Sequence, residues 1–247
     1  METLVSRLAA RLETAGVRRI VGGVEQIARA GDGGWSLTVG SRPHPGDKLP
    51  QETLSADGVV LAVPSAAAGT LLRTVHRPLA DELQGIEYAG SAVVSLGYRR
   101  GDVAHPLDAA GMVVPRIEGR RALAISFSSS KFPHRAPEGC VLVRVFLGGA
   151  LDPAANQLDD DALMALAQSE AKDLLGAHGK PLLERIDRWS RAMPQYHLGH
   201  RARLHRIRQL LEELPHMALA GGAYEGVGIP QVIASGQEAA TRMPCPT

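Results

Sequence analysis

The chain has 247 residues, enough for one large domain or two small ones with real cores. Its 27 Lys plus Arg stand against 26 Asp plus Glu, a formal charge of +1 that excludes a phosphate-tracking nucleic-acid binder with its usual basic excess. Hydrophobic residues at 45% and charged residues at 21% exclude a disordered chain, and aromatics at 4% are so scarce that any cluster of them carries weight.

Leu4, Leu8 and Leu12 recur every fourth residue and Gly16 supplies a stop, so the spacing predicts an opening helix. A helix that starts at residue 2 or 3 has little room for a loop before it, which points to a missing upstream segment. Residues 17–30 and 35–39 carry Val and Ile in short alternation on either side of a glycine cluster, the pattern of a β-hairpin. Residues 42–52 are polar and proline-rich and read as a surface loop. The run 58–64 is short and continuously apolar, as in a buried strand, and Ser65 is the expected N-cap of a small helix. Residues 86–150 are strand-rich, with runs at 92–98, 122–127 and 141–147; in the last, Arg144 interrupts the apolar side chains. Asp159, Asp160 and Asp161 open a helix whose acidic first turn suits the positive end of its dipole, with Leu163, Leu166 and Leu174 as a stripe and Gly176 as the stop. Another helix covers 200–214, with Leu204, Ile207, Leu211 and Leu214 inward and Arg201, Arg203, Arg206 and Arg208 outward; Pro215 closes it. The chain ends as strand 217–220, glycine-rich turn 221–230 and helix 231–241. This order implies an α+β mixed sheet flanked by pieces of an α/β layer.

No apolar run approaches the ~18 residues of a membrane span, and the first residues carry no secretory signal. Cys140 and Cys245 are too few and too far apart for a disulfide framework or a cysteine metal site, so a reduced, cytosol-facing protein is expected. The richest stretch for chemistry is 219–230, where a strand runs through Gly221, Gly222, Gly226 and Gly228 into a helix. Such a turn brings backbone close to a flat or anionic group, although a plain strand-to-helix turn has the same look. No Gly-x-Gly-x-x-Gly follows any strand: Gly226 and Gly228 begin the pattern, but position 231 is Gln. A second patch joins Arg188, Trp189, Arg191, Met193, Pro194 and Tyr196, which suits stacking on a planar ligand and pairing with its carboxylates, or an aromatic corner of the core. A third, residues 128–137, reads as a solvated loop more readily than as a polar wall. His197, His200 and His205 miss the i,i+4 spacing of helical metal ligands, so no metal is expected, and no Ser or Cys occupies a nucleophile elbow.

Four motifs occur together and in order: the run Phe127 to Pro137 (FSSSKFPHRAP), the stretch ending Phe146-Leu-Gly-Gly-Ala150, Arg188-Trp189 with Met193-Pro-Gln-Tyr196, and Gly222-Ala-Tyr-Glu-Gly-Val-Gly-Ile-Pro230. In this they resemble the oxygen-dependent protoporphyrinogen/coproporphyrinogen oxidases, flavoproteins of haem biosynthesis that share their fold with the monoamine oxidases. The resemblance covers nearly the whole chain, but only the C-terminal half of the family's pattern. Family members continue upstream through a Rossmann unit with the glycine fingerprint for FAD and a helical membrane-contacting insertion. The resemblance therefore implies a mixed-sheet substrate domain with flanking pieces of an FAD-binding Rossmann-like layer whose N-terminal βαβ unit is absent. It implies a partial FAD-binding region at 1–64, the substrate sheet at 65–187 and a returning FAD-binding segment at 188–247. The chain is then a truncation, a product of a mis-assigned start, or one piece of a split protein.

Position by position, the resemblance places Val24 at the adenine of FAD, Trp189 near the flavin, and Val227, Gly228 and Ile229 at the flavin end of the cofactor. Gly222 stands where the family more often has Asn, and Gln231 where Asp is common, so no side-chain role is carried over for either. The implied reaction is oxidation of a porphyrinogen by FAD, with dioxygen reoxidising the flavin to give peroxide in repeated cycles. Arg188 and Arg191 are candidates for a substrate propionate on charge type alone, and no catalytic acid or base is named. The implied partners are the porphyrinogen, dioxygen, and either an upstream N-terminal half or further copies of the chain. The alternatives are a non-catalytic tetrapyrrole-binding remnant or a related flavin amine oxidase; the run Lys131 to Pro137 speaks against the latter. The expected location is cytoplasmic, with peripheral membrane attachment left open.

Overall fold

The computed structural model describes residues 2–31, 33–40 and 52–244, apart from the Glu2 side chain. Cys245 and most of the proline-rich loop lie outside the described residues. The chain forms two compact units, one of residues 1–86 with 198–247 and one of residues 87–197.

The first unit begins with helix α1 (Glu2–Thr14), ended at Gly16 with φ +74°. Its leucine stripe is present but uncovered, with Leu4, Leu8 and Leu12 between 41% and 52% exposed. Strands β1 (Gly23–Arg29) and β2 (Trp35–Gly40) form the expected antiparallel hairpin. A third strand, β3 (Glu52–Ala56), pairs with β2; its sequence ETLSA has one large apolar residue and no readable alternation. Trp35 is wholly buried, its Nε1 donates to the Pro215 carbonyl at 3.1 Å, and the Arg29 guanidinium lies 4.3 Å from its ring. The apolar run becomes β4 (Val59–Leu61), which pairs in parallel with β10 (Met217–Leu219).

Helix α2 (Ser65–Leu72) follows β4, but Ser65 is its first residue and buried; Pro64 takes the cap position with no side-chain hydrogen bond. An unforeseen helix, α3 (Arg77–Gln84), starts where His76 Nδ1 accepts from the Leu79 amide at 3.2 Å. Helices α6 (His200–Leu211) and α7 (Ile229–Thr241) complete the unit, and Leu204, Ile207, Leu211 and Leu214 are buried as the periodicity requires. Arg203 and Arg206 of α6 converge on Glu82 of α3 at 3.1 and 2.6 Å. The Arg206 hydrogen bond holds the Glu82 carboxyl below its ordinary value of 4.5. The unfolded chain therefore binds this proton first on acidification. The contribution is full above pH ~4.5 and is lost as pH falls through the lower folded value. Glu82→Gln is expected to cost about 1 kcal/mol at pH 7 and to flatten the loss of melting temperature on acidification, measured by circular dichroism between pH 7 and 3.

The second unit is a five-stranded antiparallel sheet in the order β6-β7-β8-β5-β9. Its strands are β5 (Tyr88–Arg99), β6 (Gly111–Val113), β7 (Ala122–Phe127), β8 (Cys140–Gly148) and β9 (Leu183–Pro194). Short helix α4 (Ser128–Lys131) follows β7, and α5 (Asp160–Leu175) crosses one face of the sheet. Asp159 caps α5 by accepting from the Ala162 amide at 2.8 Å, and Gly176 ends it at φ +60°. The buried stripe of α5 is Leu163, Ala167, Ala171 and Leu175, so Leu166 and Leu174 only flank it. These side chains meet Ala92, Val94 and Leu96 of β5, Ile125 and Phe127 of β7, and Val141, Val143, Val145 and Leu147 of β8 in one core.

The units divide after residues 86 and 197. Helices α2 and α3 pack on one another, and α3 on α6, which keeps residues 65–86 in the first unit. Residues 188–194 belong to β9, hydrogen-bonded along β5, which keeps them in the second.

Candidate functional site

The glycine-rich turn of the first unit links β10 to α7. Gly221 and Gly226 adopt φ +130° and +147°, conformations that side chains rarely reach, so these glycines are required by the backbone path. The Gly221 amide donates to Ser235 Oγ at 2.9 Å, and that hydroxyl donates to the Val232 carbonyl at 2.9 Å, tying the turn to the first turns of α7. Gly228 caps α7 with no side-chain hydrogen bond, so the positive end of a 13-residue helix is met by backbone alone. Val227 is 64% and Ile229 46% exposed beside it, and a Cβ at Gly221 would meet nothing within 4 Å. An open apolar rim around a glycine backbone and an uncapped helix start fits one end of a flat, partly anionic cofactor. Gln231 folds back over the turn: a Cβ at Gly226 or Gly228 would fall within 3 Å of its side chain.

Val24 lies in the same unit at the start of β1, exposed, beside a bulge between Val24 and Gln26. Among the described residues no phosphate-binding glycine fingerprint joins these two places. The cavity between α6, β10 and α7 is small, about 60 Å³, and is lined by Leu204, Ile207, Ala218 and Ala239. Met217 and Ala218 of β10 and Ala220 after it are buried. The open positions on the parallel pair's β4 side are Val60 and Val63, at 39% and 38%.

In the second unit, α5 covers one sheet face and leaves the other half-open. Strand registers put Val93, Ser95, Leu142, Arg144, Phe146, Ala124, Ser126 and, on edge strand β9, Arg185, Asp187 and Trp189 on that second face. Trp189 stands opposite Ser91 and is 55% exposed, so it is no core corner. Its neighbour Arg188 points to the helix-covered face, where it binds Asp160 at 2.6 Å and the Asn156 carbonyl at 3.2 Å. Alternation along one strand thus separates two residues that are adjacent in sequence. Arg191 lies in the bulged part of β9 opposite Gly90, exposed and outside any ion pair among the described residues. Arg144 and Phe146 were not candidates on sequence. Their alternation with Val143 and Val145 was visible, but which face a helix would cover was not.

Residues 128–137 form no polar wall: Ser128 is buried, Ser129 Oγ accepts from the Leu142 amide at 3.1 Å, and Lys131 and Arg135 flank the half-exposed Phe132 ring. His197 pairs with Glu87 at 3.2 Å, and His200 lies 3.3 Å from the Tyr224 carbonyl. Among the described residues no three potential metal ligands cluster, and no helix is long and apolar enough to cross a membrane.

Comparison with known proteins gives these surfaces a family context. The profile of the flavin-containing amine oxidoreductases matches residues 1–244. Coproporphyrinogen III oxidase of Bacillus subtilis is 32% identical over 188 residues, covering 76% of this chain and 40% of the relative. Human protoporphyrinogen oxidase is 31% identical over 249 residues, covering 97% of this chain and 49% of the relative. A solved structure from Exiguobacterium sp. 255-15, provisionally named a protoporphyrinogen oxidase, superposes with a TM-score of 0.74 at 26% identity, over 96% of this chain and 50% of that one. Putrescine oxidase, at 14% identity and a TM-score of 0.63, shares the fold alone. The chain spans about half the length of the relatives it matches and corresponds to their C-terminal half.

Proposed function

The chain belongs to the flavin-containing amine oxidoreductases, and from this we propose that it is the C-terminal half of a cytoplasmic FAD-dependent porphyrinogen oxidase, active only with an N-terminal half. The observation that carries this reading is the joint match to coproporphyrinogen III and protoporphyrinogen oxidases across most of the chain, together with an exposed glycine turn at the start of α7. When bound, the flavin would supply a two-electron acceptor for the substrate's bridging carbons, with dioxygen as the final oxidant. Val227, Gly228 and Ile229 would hold the flavin end by backbone approach, and Val24 the adenine end. Trp189, exposed on the half-open face of the second unit's sheet, is proposed as a further cofactor contact, as the family resemblance implies.

That face suits a planar, mostly apolar substrate. It offers Phe146, Leu142 and Trp189 as an apolar bed with cations among them, and ring positioning is the protein's share of such chemistry. Arg188 and Arg191 are both proposed to meet propionates, and Arg191 is the better placed because Asp160 already takes the charge of Arg188.

The test is turnover by the chain assembled with the N-terminal half of a relative, followed by porphyrin fluorescence from coproporphyrinogen III and protoporphyrinogen IX. Porphyrin formation from either is the expected result. Flavin bound with porphyrin bound but no turnover would instead identify a tetrapyrrole-binding remnant. Arg191→Gln is expected to raise KM roughly tenfold with kcat little changed. The same rise from Arg188→Gln would show that the Asp160 pair opens to the substrate, and an unchanged KM in both variants would remove both residues from the site.

A further inference from the structure

At the centre of the half-open sheet face, among the described residues, stands a cation whose charge no carboxylate balances. Arg144 sits at the middle of β8, the central strand, directly across from Ser95 of β5 and Ser126 of β7. The other arginines of this unit that carry ion pairs are closely held: Arg120 by Glu170 and Asp173, Arg121 by Asp152, Arg185 by Asp187 and Arg188 by Asp160. Arg144 forms no ion pair among the described residues, and its guanidinium lies 5.7 Å from the Phe146 ring on the same face. A half-buried guanidinium between strands loses hydration, and a ring at that distance offsets only part of the loss. Leu142 and Phe146 flank it along the strand as an apolar floor, and the two serine hydroxyls stand on either side as further donors.

A ligand that satisfies this set has a flat apolar body and a carboxylate arm. On the reading that the face binds a tetrapyrrole, we propose that Arg144, assisted by Ser95 and Ser126, is a carboxylate subsite that favours tetrapyrroles bearing a propionate on every ring. β8 lies two strands in from β9, roughly 10 Å from the edge where Trp189 and Arg191 stand. A ring system spanning the face therefore presents a different pyrrole to each place. In a coproporphyrin every pyrrole carries a propionate, so Arg144 finds a carboxylate whichever way the ring lies. In a two-propionate porphyrin half of the pyrroles carry only methyl with vinyl or ethyl groups, which leave the guanidinium unpaired.

The experiment titrates the purified chain with coproporphyrin III and with mesoporphyrin IX, which has two propionates, reading porphyrin fluorescence and quenching of Trp189. The unaltered chain is expected to bind coproporphyrin III about tenfold more tightly than mesoporphyrin IX. Arg144→Gln is expected to remove most of that preference, weakening coproporphyrin about tenfold and mesoporphyrin by less than threefold. Arg144→Lys, which keeps the charge and loses the planar fork, is expected to fall between them. Melting of each variant shows whether it is folded, and should Arg144→Gln not fold, Arg144→Met keeps the stem packing and serves in its place. An unchanged preference in a folded variant overturns the assignment of Arg144 while leaving the tetrapyrrole reading standing. Binding of neither porphyrin by the unaltered chain overturns the tetrapyrrole reading and this inference with it.

Discussion

Mixed with a polypeptide spanning the N-terminal half of a full-length relative, the chain is expected to take up one flavin per complex, whereas alone it retains none through gel filtration. On the proposed reading, Val24 and the turn into α7 hold the two ends of the dinucleotide, and among the described residues no glycine fingerprint for the pyrophosphate lies between them. Losing the helix-terminal pyrophosphate contacts is estimated to cost ~4 kcal/mol, about a thousandfold in Kd. The same mixing should change the hydrodynamics. β4 and β10 form a two-stranded parallel pair, whereas parallel sheets are normally wider and covered on both faces. Val60, Val63 and the leucine face of α1 remain open, so the chain alone is expected to self-associate. On mixing, sedimentation should show one species of defined mass as flavin absorbance appears. Stoichiometric flavin on the chain alone, in a homo-oligomer, would show that a second copy completes the site and that no N-terminal half is needed.

Phe127→Ala is expected to destabilise residues 87–197 by about 3–5 kcal/mol, a fall of ten degrees or more in the transition of that unit. The side chain is 1% exposed where β7 meets the core under α5, and its ring lies 5.1 Å from that of His105. Removing it leaves a cavity among β-strand side chains that hydrogen bonding holds in register, so the surroundings collapse poorly. The two tryptophans make the effect separable: Trp35 reports on the first unit and Trp189 on the second. Fluorescence of single-tryptophan variants should show the Trp189 transition moving and the Trp35 transition staying within a few degrees. Equal shifts in both would mean that the units unfold as one cooperative body.

Much of this architecture is legible in local patterns. The acidic cap and glycine stop of α5, the leucine and isoleucine stripe of α6, and the hairpin around the glycines before Trp35 are each encoded within a dozen residues. They can be read without tertiary information because hydrogen bonding and capping act between near neighbours. Four spaced motifs were enough to reach the family, and the family match extends over residues 1–244. β3 and α3 escaped because they are short and sparsely apolar, and partners from distant sequence stabilise them: β2 for one, α2 and Glu82's arginines for the other.

Spacing could gather Arg188, Trp189 and Arg191 into a patch, but not tell which side of a sheet each would face. That depends on where α5 lies, and α5 lies there because Leu163, Ala167, Ala171 and Leu175 bury against β5, β7 and β8. Once that face is covered, pleating sends Arg188 to Asp160 and leaves Trp189, Phe146 and Arg144 on the other side. Alternation is written in the chain, whereas the choice of face belongs to long-range packing, since the pleat treats both sides alike until a helix covers one.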